Sequence, residues 1–460
     1  MAVHLPIVEV RSSIRSDGSR ATVHPADVRG RFNTGRIVVF AVLLAVYVLV
    51  PWLTVGGKPA VLLDVAQRRF FLFGSVFNAQ DFWLAFFLLS GIGFGLVALT
   101  AVAGRMWCGW ACPQTVFLEA LFRPIQRLIE GPAAHRHRRE DNGWTFDRLW
   151  RRALLWTIYL ALAAAVAHVF LGYFTPIRGL WAMIVAGPAA SPEAFAWTAA
   201  ITGVMFFNFA WFREQTCVAI CPYGRLQSVL TDPDSLVIGY DAKRGEPRTR
   251  GKVKREGAGD CVDCNRCVVV CPTGIDIRNG LQLDCIACTR CIDACDDVMD
   301  RLERPRGLIR YDSLQGLQHN PRRFLRPRLA LYALLGALGL AATTLALRSH
   351  TTYEANLLRL NGLPYTLDEG NVRNAFDIHL VNKASRRMTF TIEPVTGPPF
   401  VFVIPMSRVT LEPLAGSHVP VFVTTPRQGL RGDSRVRVTV RPLGGGEART
   451  IEAPFLGPTQ

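Results

Sequence analysis

The stretch Cys261-Val-Asp-Cys264-Asn-Arg-Cys267-Val-Val-Val-Cys271-Pro272, followed after twelve residues by Cys285-Ile-Ala-Cys288-Thr-Arg-Cys291-Ile-Asp-Ala-Cys295, decides how the rest of the chain is read. Both halves have the spacing C-x2-C-x2-C-x3-C. An iron–sulfur cube takes thiolates at four corners, and gaps of two residues let one tight loop supply three of them. The fourth cysteine of each half then crosses to the other cube. The spacing predicts one 4Fe-4S cluster on Cys261, Cys264, Cys267 and Cys295, and a second on Cys285, Cys288, Cys291 and Cys271. Structural zinc sites normally use two C-x2-4-C pairs separated by a longer run, and disulfides are rare in reducing compartments. Asp296 stands where a second proline, the counterpart of Pro272, would complete the pattern.

The totals point to a membrane protein. Half of the 460 residues are hydrophobic and the formal charge is +16. A basic chain also raises nucleic acid as a partner, but the arginines sit beside apolar runs, which is how orientation signals are placed. The expected partner surface is therefore the lipid bilayer, with no nucleic acid. None of the twelve cysteines follows Cys295, so the C-terminal part is free of thiol chemistry.

Residues 1–35 are polar and arginine-rich without the apolar core of a signal peptide, and read as a flexible cytoplasmic tail. Five apolar runs follow, each long enough at ~1.5 Å per residue to cross a hydrocarbon layer of ~30 Å. They are Ile37 to Val55, Phe82 to Ala103, Ala153 to Phe174, Phe195 to Phe212 and Leu329 to Leu347. Gly91, Gly93 and Gly95 in the second are expected to permit close helix packing. Residues 105–152 hold nine arginines, whereas the segment between the third and fourth runs holds only Arg178. The positive-inside rule then puts the N-terminus and residues 241–328 in the cytoplasm, and everything after Arg348 in the periplasm of a bacterial inner membrane. That last part alternates apolar and polar residues between turn-rich runs and reads as an Ig-like β-sandwich. The expected architecture is an α-helical integral membrane protein of five spans, with a cytoplasmic ferredoxin-like insert for two 4Fe-4S clusters and a periplasmic C-terminal β-sandwich. Its segments are a tail (1–35), a four-span core (36–240), the insert with its linkers (241–328), the fifth span (329–348) and the β-domain (349–460).

The core contains an internal repeat. Cys108-Gly-Trp-Ala-Cys112-Pro113 follows the second span, and Cys217-Val-Ala-Ile-Cys221-Pro222 follows the fourth. Such repeats place equivalent residues about a pseudo-axis. Cysteines four apart share a helix face, so Cys108, Cys112, Cys217 and Cys221 are candidates to grip one soft ion, copper first because Cu(I) rewards thiolate. A further iron–sulfur cluster, zinc, or buried packing cysteines are the alternatives. After Pro113, Phe117, Leu121, Ile125 and Leu128 recur at helical spacing and predict an interfacial amphipathic helix. Glu119 and Glu214, beside the two motifs, are read as solvated interface charges rather than oxygen ligands. The cluster His135-Arg136-His137-Arg138-Arg139 is read as a topology signal rather than a metal or phosphate site. His168, inside the third span, has no partner histidine for haem and reads as a hydrogen-bonding group.

Taken together, five spans, two C-x3-C-P motifs, the eight-cysteine insert and a β-domain resemble the CcoG/FixG/RdxA family, accessory proteins of cbb3-type cytochrome c oxidase assembly. Cys271-Pro-Thr-Gly-Ile-Asp-Ile and Cys291-Ile-Asp-Ala-Cys295-Asp-Asp-Val-Met carry the most specific match, and that family also has Asp after the last cysteine. The resemblance implies two low-potential 4Fe-4S clusters and a cupric reductase activity, with copper as the substrate ion. It implies further that Cys108, Cys112, Cys217 and Cys221 form the catalytic copper site. A cytoplasmic electron donor, a copper transporter or chaperone and oxidase assembly factors are the expected partners. Two rivals share the same features: a quinol-linked membrane conduit similar to NapH and NosR, and a redox-sensing assembly scaffold.

Overall fold

A computed structural model describes residues 23–78, 82–141, 143, 145–249, 256–321, 323, 326–348, 351–368, 370–384, 386–429 and 434–458. The chain forms two compact units, Met1–Leu53, Pro59–Gln67 and Trp83–Thr343 in one, and Thr54–Lys58, Arg68–Phe82 and Thr344–Gln460 in the other.

Among the described residues, five helices are long and apolar enough to cross a membrane: Arg31–Trp52, Phe86–Ala103, Phe146–Leu171, Pro192–Phe212 and Pro327–Leu345. The second helix as a whole runs Phe82–Ala103, as its apolar run predicts. The first and third begin six or more residues earlier than their apolar runs, because each takes an N-terminal cap upstream. Thr145 accepts a hydrogen bond from the Arg148 N–H at the start of the third, which satisfies a donor that helix geometry orphans. The first helix is capped from far away: Asp293 accepts from the Phe32 N–H at 3.2 Å and the Asn33 N–H at 2.7 Å. Gly339 and Gly91 bring the fifth and second helices together, since a Cβ on Gly339 would lie 3.0 Å from the Gly91 Cα. A ten-residue apolar helix, Ile177–Ala186, lies between the third and fourth spans and was not anticipated from the sequence.

Two expectations change here. The expected flexible tail of residues 1–35 is, from residue 23 on, packed chain; its first 22 residues lie outside the described ones. The Ala26 N–H donates to the Val269 carbonyl at 2.9 Å, and Val28 is buried with Val270 and Ala294. The physical reason is burial: His24 and Val28 are both less than a tenth exposed. The expected interfacial helix after Pro113 also packs inward. Its turn Leu118–Phe122 is a π-helix, and the extra residue per turn rotates the inner face. Leu118, Phe122, Gln126 and Ile129 are buried, while Leu128 is 85% exposed. Phe122 stacks on Phe209 with centroids 4.6 Å apart, inside a core shared with Leu155, Tyr159 and Val166.

The smaller unit is a two-sheet sandwich. One sheet orders Val401–Val403, Gly416–Pro426, Asn371–Asn382 and Tyr353–Arg359, with Thr366–Asp368 beside Asn371–Asn382; the other orders Arg408–Leu411, Met388–Pro394, Arg435–Leu443 and Arg449–Pro454. Burial alternates along Asn371–Asn382 and Gly416–Pro426, the period-2 signature of sheets that bury one face. Phe376, Ile378, Val421 and Val438 meet in the shared interior.

Candidate metal centres

The eight cysteines stand round two cavities, each lined by three from one half and the last from the other. Cys261, Cys264, Cys267 and Cys295 line one, walled by Tyr240, Met299, Leu308 and Ile309. Cys271, Cys285, Cys288 and Cys291 line the other, with Cys267 also on its wall. These are the groupings the spacing predicts. The loops are shaped for it: Asp263, Asn265, Ala287 and Thr289 all take positive φ, which turns the chain tightly between successive cysteines. Among the described residues, no three His, Cys, Asp or Glu side chains converge tightly enough to hold a single metal ion. A cube bound at its corners holds its thiolates farther apart than one ion does, so cavity and spacing fit a cluster better than zinc. Burial pushes the Cys267, Cys285 and Cys295 thiols up to about 12, so these sulfurs need a cationic partner to be held as thiolates.

Short strands close this module. Val237–Tyr240 pairs antiparallel with Ile309–Asp312, bringing the chain before the first cysteine beside the chain after the last. Tyr311 then donates to the Ala287 carbonyl at 3.0 Å, within Cys285-Ile-Ala-Cys288.

The repeat is geometrically real. Cys112 and Cys221 both take extended backbone angles immediately before a helix whose first residue is proline. Their N–H groups donate five residues back, Cys112 to Trp107 at 2.9 Å and Cys221 to Thr216 at 2.8 Å. Proline at the first helical position loses no hydrogen bond, because that N–H would be orphaned in any case. The repeats also meet: the Gln227 amide, on the helix after the second motif, donates to Cys108 Sγ in the first at 3.3 Å. Burial raises the Cys108 thiol to about 11 against the Gln227 bond, and the neighbouring Cys112 and Cys221 add to the rise. Burial likewise takes Cys217 to about 12, with contributions from Cys112, Cys108 and Cys221. The fold therefore gathers Cys108, Cys112, Cys217 and Cys221 into one neighbourhood, although they do not converge as ligands of a single ion.

That neighbourhood abuts the second cavity. A Cβ on Gly109, between Cys108 and Cys112, would lie 2.5 Å from the Ala287 carbonyl oxygen. Only a glycine lets the two backbones come this close. Arg36, 2% exposed, donates through Nε to the Gly109 carbonyl at 3.0 Å. Arg105 donates to the carbonyls of Leu283, Cys285 and Gly224, so one guanidinium joins the end of the second span, the cluster loop and the helix after Cys221. Trp110 Nε1 donates to Tyr311 Oη at 3.1 Å.

Glu119 and Glu214 correct the sequence reading. Both are buried. Glu119 pairs with Arg123 and, at 2.9 Å, with Arg290, which lies between Cys288 and Cys291; Glu214 pairs with Arg123 at 3.1 Å. Burial would raise the Glu119 carboxyl, but the guanidiniums of Arg123, Arg290 and Arg36 hold it down at about 2. These carboxylates are neither solvated charges nor free oxygen ligands; they bolt the cluster loop to the membrane repeat. Arg36, Arg105, Gln227 and Arg290 were missed as well, because each acts on a residue more than 70 positions away. His168 Nδ1 lies 2.7 Å from the Ala164 carbonyl of its own helix, so its partner is a turn below rather than on a neighbouring helix.

Comparison with known proteins agrees with this layout. A model described as a 4Fe-4S dicluster domain matches residues 212–314, one described as a 4Fe-4S binding domain matches residues 84–132, and the Ig-like fold at the C-terminus of FixG matches residues 342–458. Protein RdxA of Cereibacter sphaeroides is 36% identical, covering 95% of this chain and 98% of its own. Protein RdxB of the same organism is 37% identical over 81% of this chain and 82% of its own. The nitrogen fixation protein FixG of Rhizobium meliloti is 34% identical over 89% of this chain and 87% of its own. With its five apolar helices, its iron–sulfur domains and its Ig-like C-terminal part, the chain is an iron–sulfur electron-transfer protein and belongs to the FixG/RdxA family.

Proposed function

We propose that this protein reduces Cu(II) to Cu(I) at the four repeat cysteines, drawing single electrons from its eight-cysteine module, and so supplies reduced copper for assembly of a cbb3-type oxidase. Cys261, Cys264, Cys267 and Cys295 would hold one 4Fe-4S cluster, and Cys271, Cys285, Cys288 and Cys291 the other. Bound there, the clusters supply one-electron chemistry at potentials anywhere within about −700 to +450 mV. The observation that carries the reading is the contact of Gly109 with Ala287, which sets the first cysteine pair against the loop of the second cavity. Arg105 and the Glu119–Arg290 pair fix that contact from either side. Gln227 holds the Cys108 sulfur, and the thiols' softness favours Cu(I) over Cu(II) as the retained ion. In the topology proposed here the module faces the cytoplasm and its electron donor, the β-domain faces the periplasm, and a transporter or chaperone takes the Cu(I).

The test is anaerobic. Full-length protein, reduced and freed of excess reductant, is mixed with Cu(II) and a Cu(I)-specific chelator. Roughly two Cu(I) per chain are expected from two one-electron clusters. Full yield after Cys108, Cys112, Cys217 and Cys221 all become Ala would remove them from the copper step.

One observation favours a second reading. The 4Fe-4S binding domain matched at residues 84–132 contains only Cys108 and Cys112 as cysteines, and the four repeat thiols do not converge on one ion. A third cluster at the repeat would raise the iron content from roughly eight to roughly twelve atoms per chain.

A further inference from the structure

A pocket apart from the cysteines lies where the helix ending at Glu130, the helix Ala133–Asp141 and the start of the third span meet. Five arginines line it, Arg136, Arg139, Arg148, Arg151 and Arg152, against one carboxylate, Glu130. That carboxylate is already engaged, by Arg152 at 3.2 Å and by the Gln126 amide at 2.7 Å. Arg139 and Arg151 donate to the Glu130 and Ile129 carbonyls, at 2.5 and 2.6 Å, and both pair with Asp147.

Arg136 is different. It is 7% exposed, its Nε has no hydrogen-bond partner, and among the described residues no carboxylate oxygen lies within ion-pairing distance of it. Burial works against its charge, and the opposite charges of Glu130 and Asp27 are set against the like charges of Arg213 and Arg123. A buried cation is costly unless something anionic meets it, and planar guanidiniums match phosphate oxygens two at a time. The enclosed part of the pocket is small, about 20 Å³, and opens to a wider mouth. A water needs about 10–15 Å³, so the interior admits a single phosphoryl oxygen and leaves the rest of a ligand in the mouth. Two of its lining residues, Arg151 and Arg152, come directly before the apolar run of the third span, the place in a chain where arginines meet lipid headgroups.

We propose that this pocket binds one phosphate group, with Arg136 at its floor and Arg148 and Arg152 at its mouth. An anionic phospholipid headgroup and free phosphate offer the same chemistry, and the test separates them. Full-length protein in neutral detergent is titrated at roughly physiological salt, where long-range attraction is screened beyond about 8 Å. One arm uses phosphatidylglycerol and the other inorganic phosphate, read by native mass spectrometry and by thermal unfolding. The expected result is one saturable equivalent per chain, weakened roughly fivefold in R136Q and in R152Q alike, as for the loss of about 1 kcal/mol per charge. R301Q, on the exposed face of the cluster module, leaves it unchanged. Saturation by the lipid assigns the site to the membrane; saturation by phosphate alone assigns it to a soluble anion. Arg152 is part-exposed at the mouth, so R152Q carries the test if R136Q does not fold. The proposal fails if neither ligand saturates, or if binding is the same in wild type and R152Q.

Discussion

Cys261 to Cys295 stand round cavities made by their own loops and closed by one strand pair. Cys108, Cys112, Cys217 and Cys221 meet only because two distant helical hairpins fold onto a common side and exchange a Gln227 bond. The first set is built from local geometry and should hold its clusters almost whatever the rest of the protein does. The second is built from tertiary contacts, so its chemistry should be sensitive to residues that touch no sulfur.

The largest expected effect separates the two sets through iron. Cys288→Ala should lower the iron content from roughly eight to roughly four atoms per chain, whereas Cys108→Ala should leave it at the wild-type value, both measured on anaerobically purified protein. Loss of iron from the Cys108 variant would erase the distinction and place a cluster at the repeat.

Next comes the bolt between the regions. Glu119→Gln breaks a buried pair with Arg290 and should destabilise the larger unit by about 3–5 kcal/mol, seen in thermal unfolding of the full chain. The sign with pH follows from the depressed carboxyl. Its contribution is fully present above the ordinary value of 4.5 and is lost as pH falls toward about 2. The gap between wild type and variant is therefore full at pH 7 and narrows in acid.

Gly109→Ala should cost about 1–3 kcal/mol by overpacking, because its Cβ would meet the Ala287 carbonyl oxygen at 2.5 Å. Copper reduction should slow with it while iron is retained, since the contact rather than either set of ligands is disturbed. Asp293→Ala removes the remote cap of the first span and should cost about 1 kcal/mol, with iron and copper chemistry unchanged.

The same comparison explains what the sequence made legible. The cluster cysteines and the five apolar helices are encoded at short range, in spacing and hydropathy, and the second span matches residue for residue. The repeat was legible as a pattern, and its five-back hydrogen bonds give that pattern a shape. The buried ion pairs were not legible, since Glu119 beside a membrane helix looks like any surface carboxylate until Arg290 arrives from 171 residues away. The inward face of the helix after Pro113 was misjudged because a π-turn interrupts the period on which the stripe was counted. Residues 23–30 looked like tail because their apolar content is low; Val28 and Ala26 tie them to the cluster module. Arg136 resembled the arginines beside it in sequence, and its burial, which no pattern announces, sets it apart.

The most direct test of the whole account is copper-edge X-ray absorption on the anaerobic, reduced, full-length protein after Cu(II) is added, with iron counted on the same sample. The account predicts Cu(I) with sulfur neighbours, roughly eight irons per chain, and loss of the sulfur shell without loss of iron when Cys108, Cys112, Cys217 and Cys221 are replaced by Ala. Copper that stays divalent, or a sulfur shell that survives those four substitutions, would contradict it.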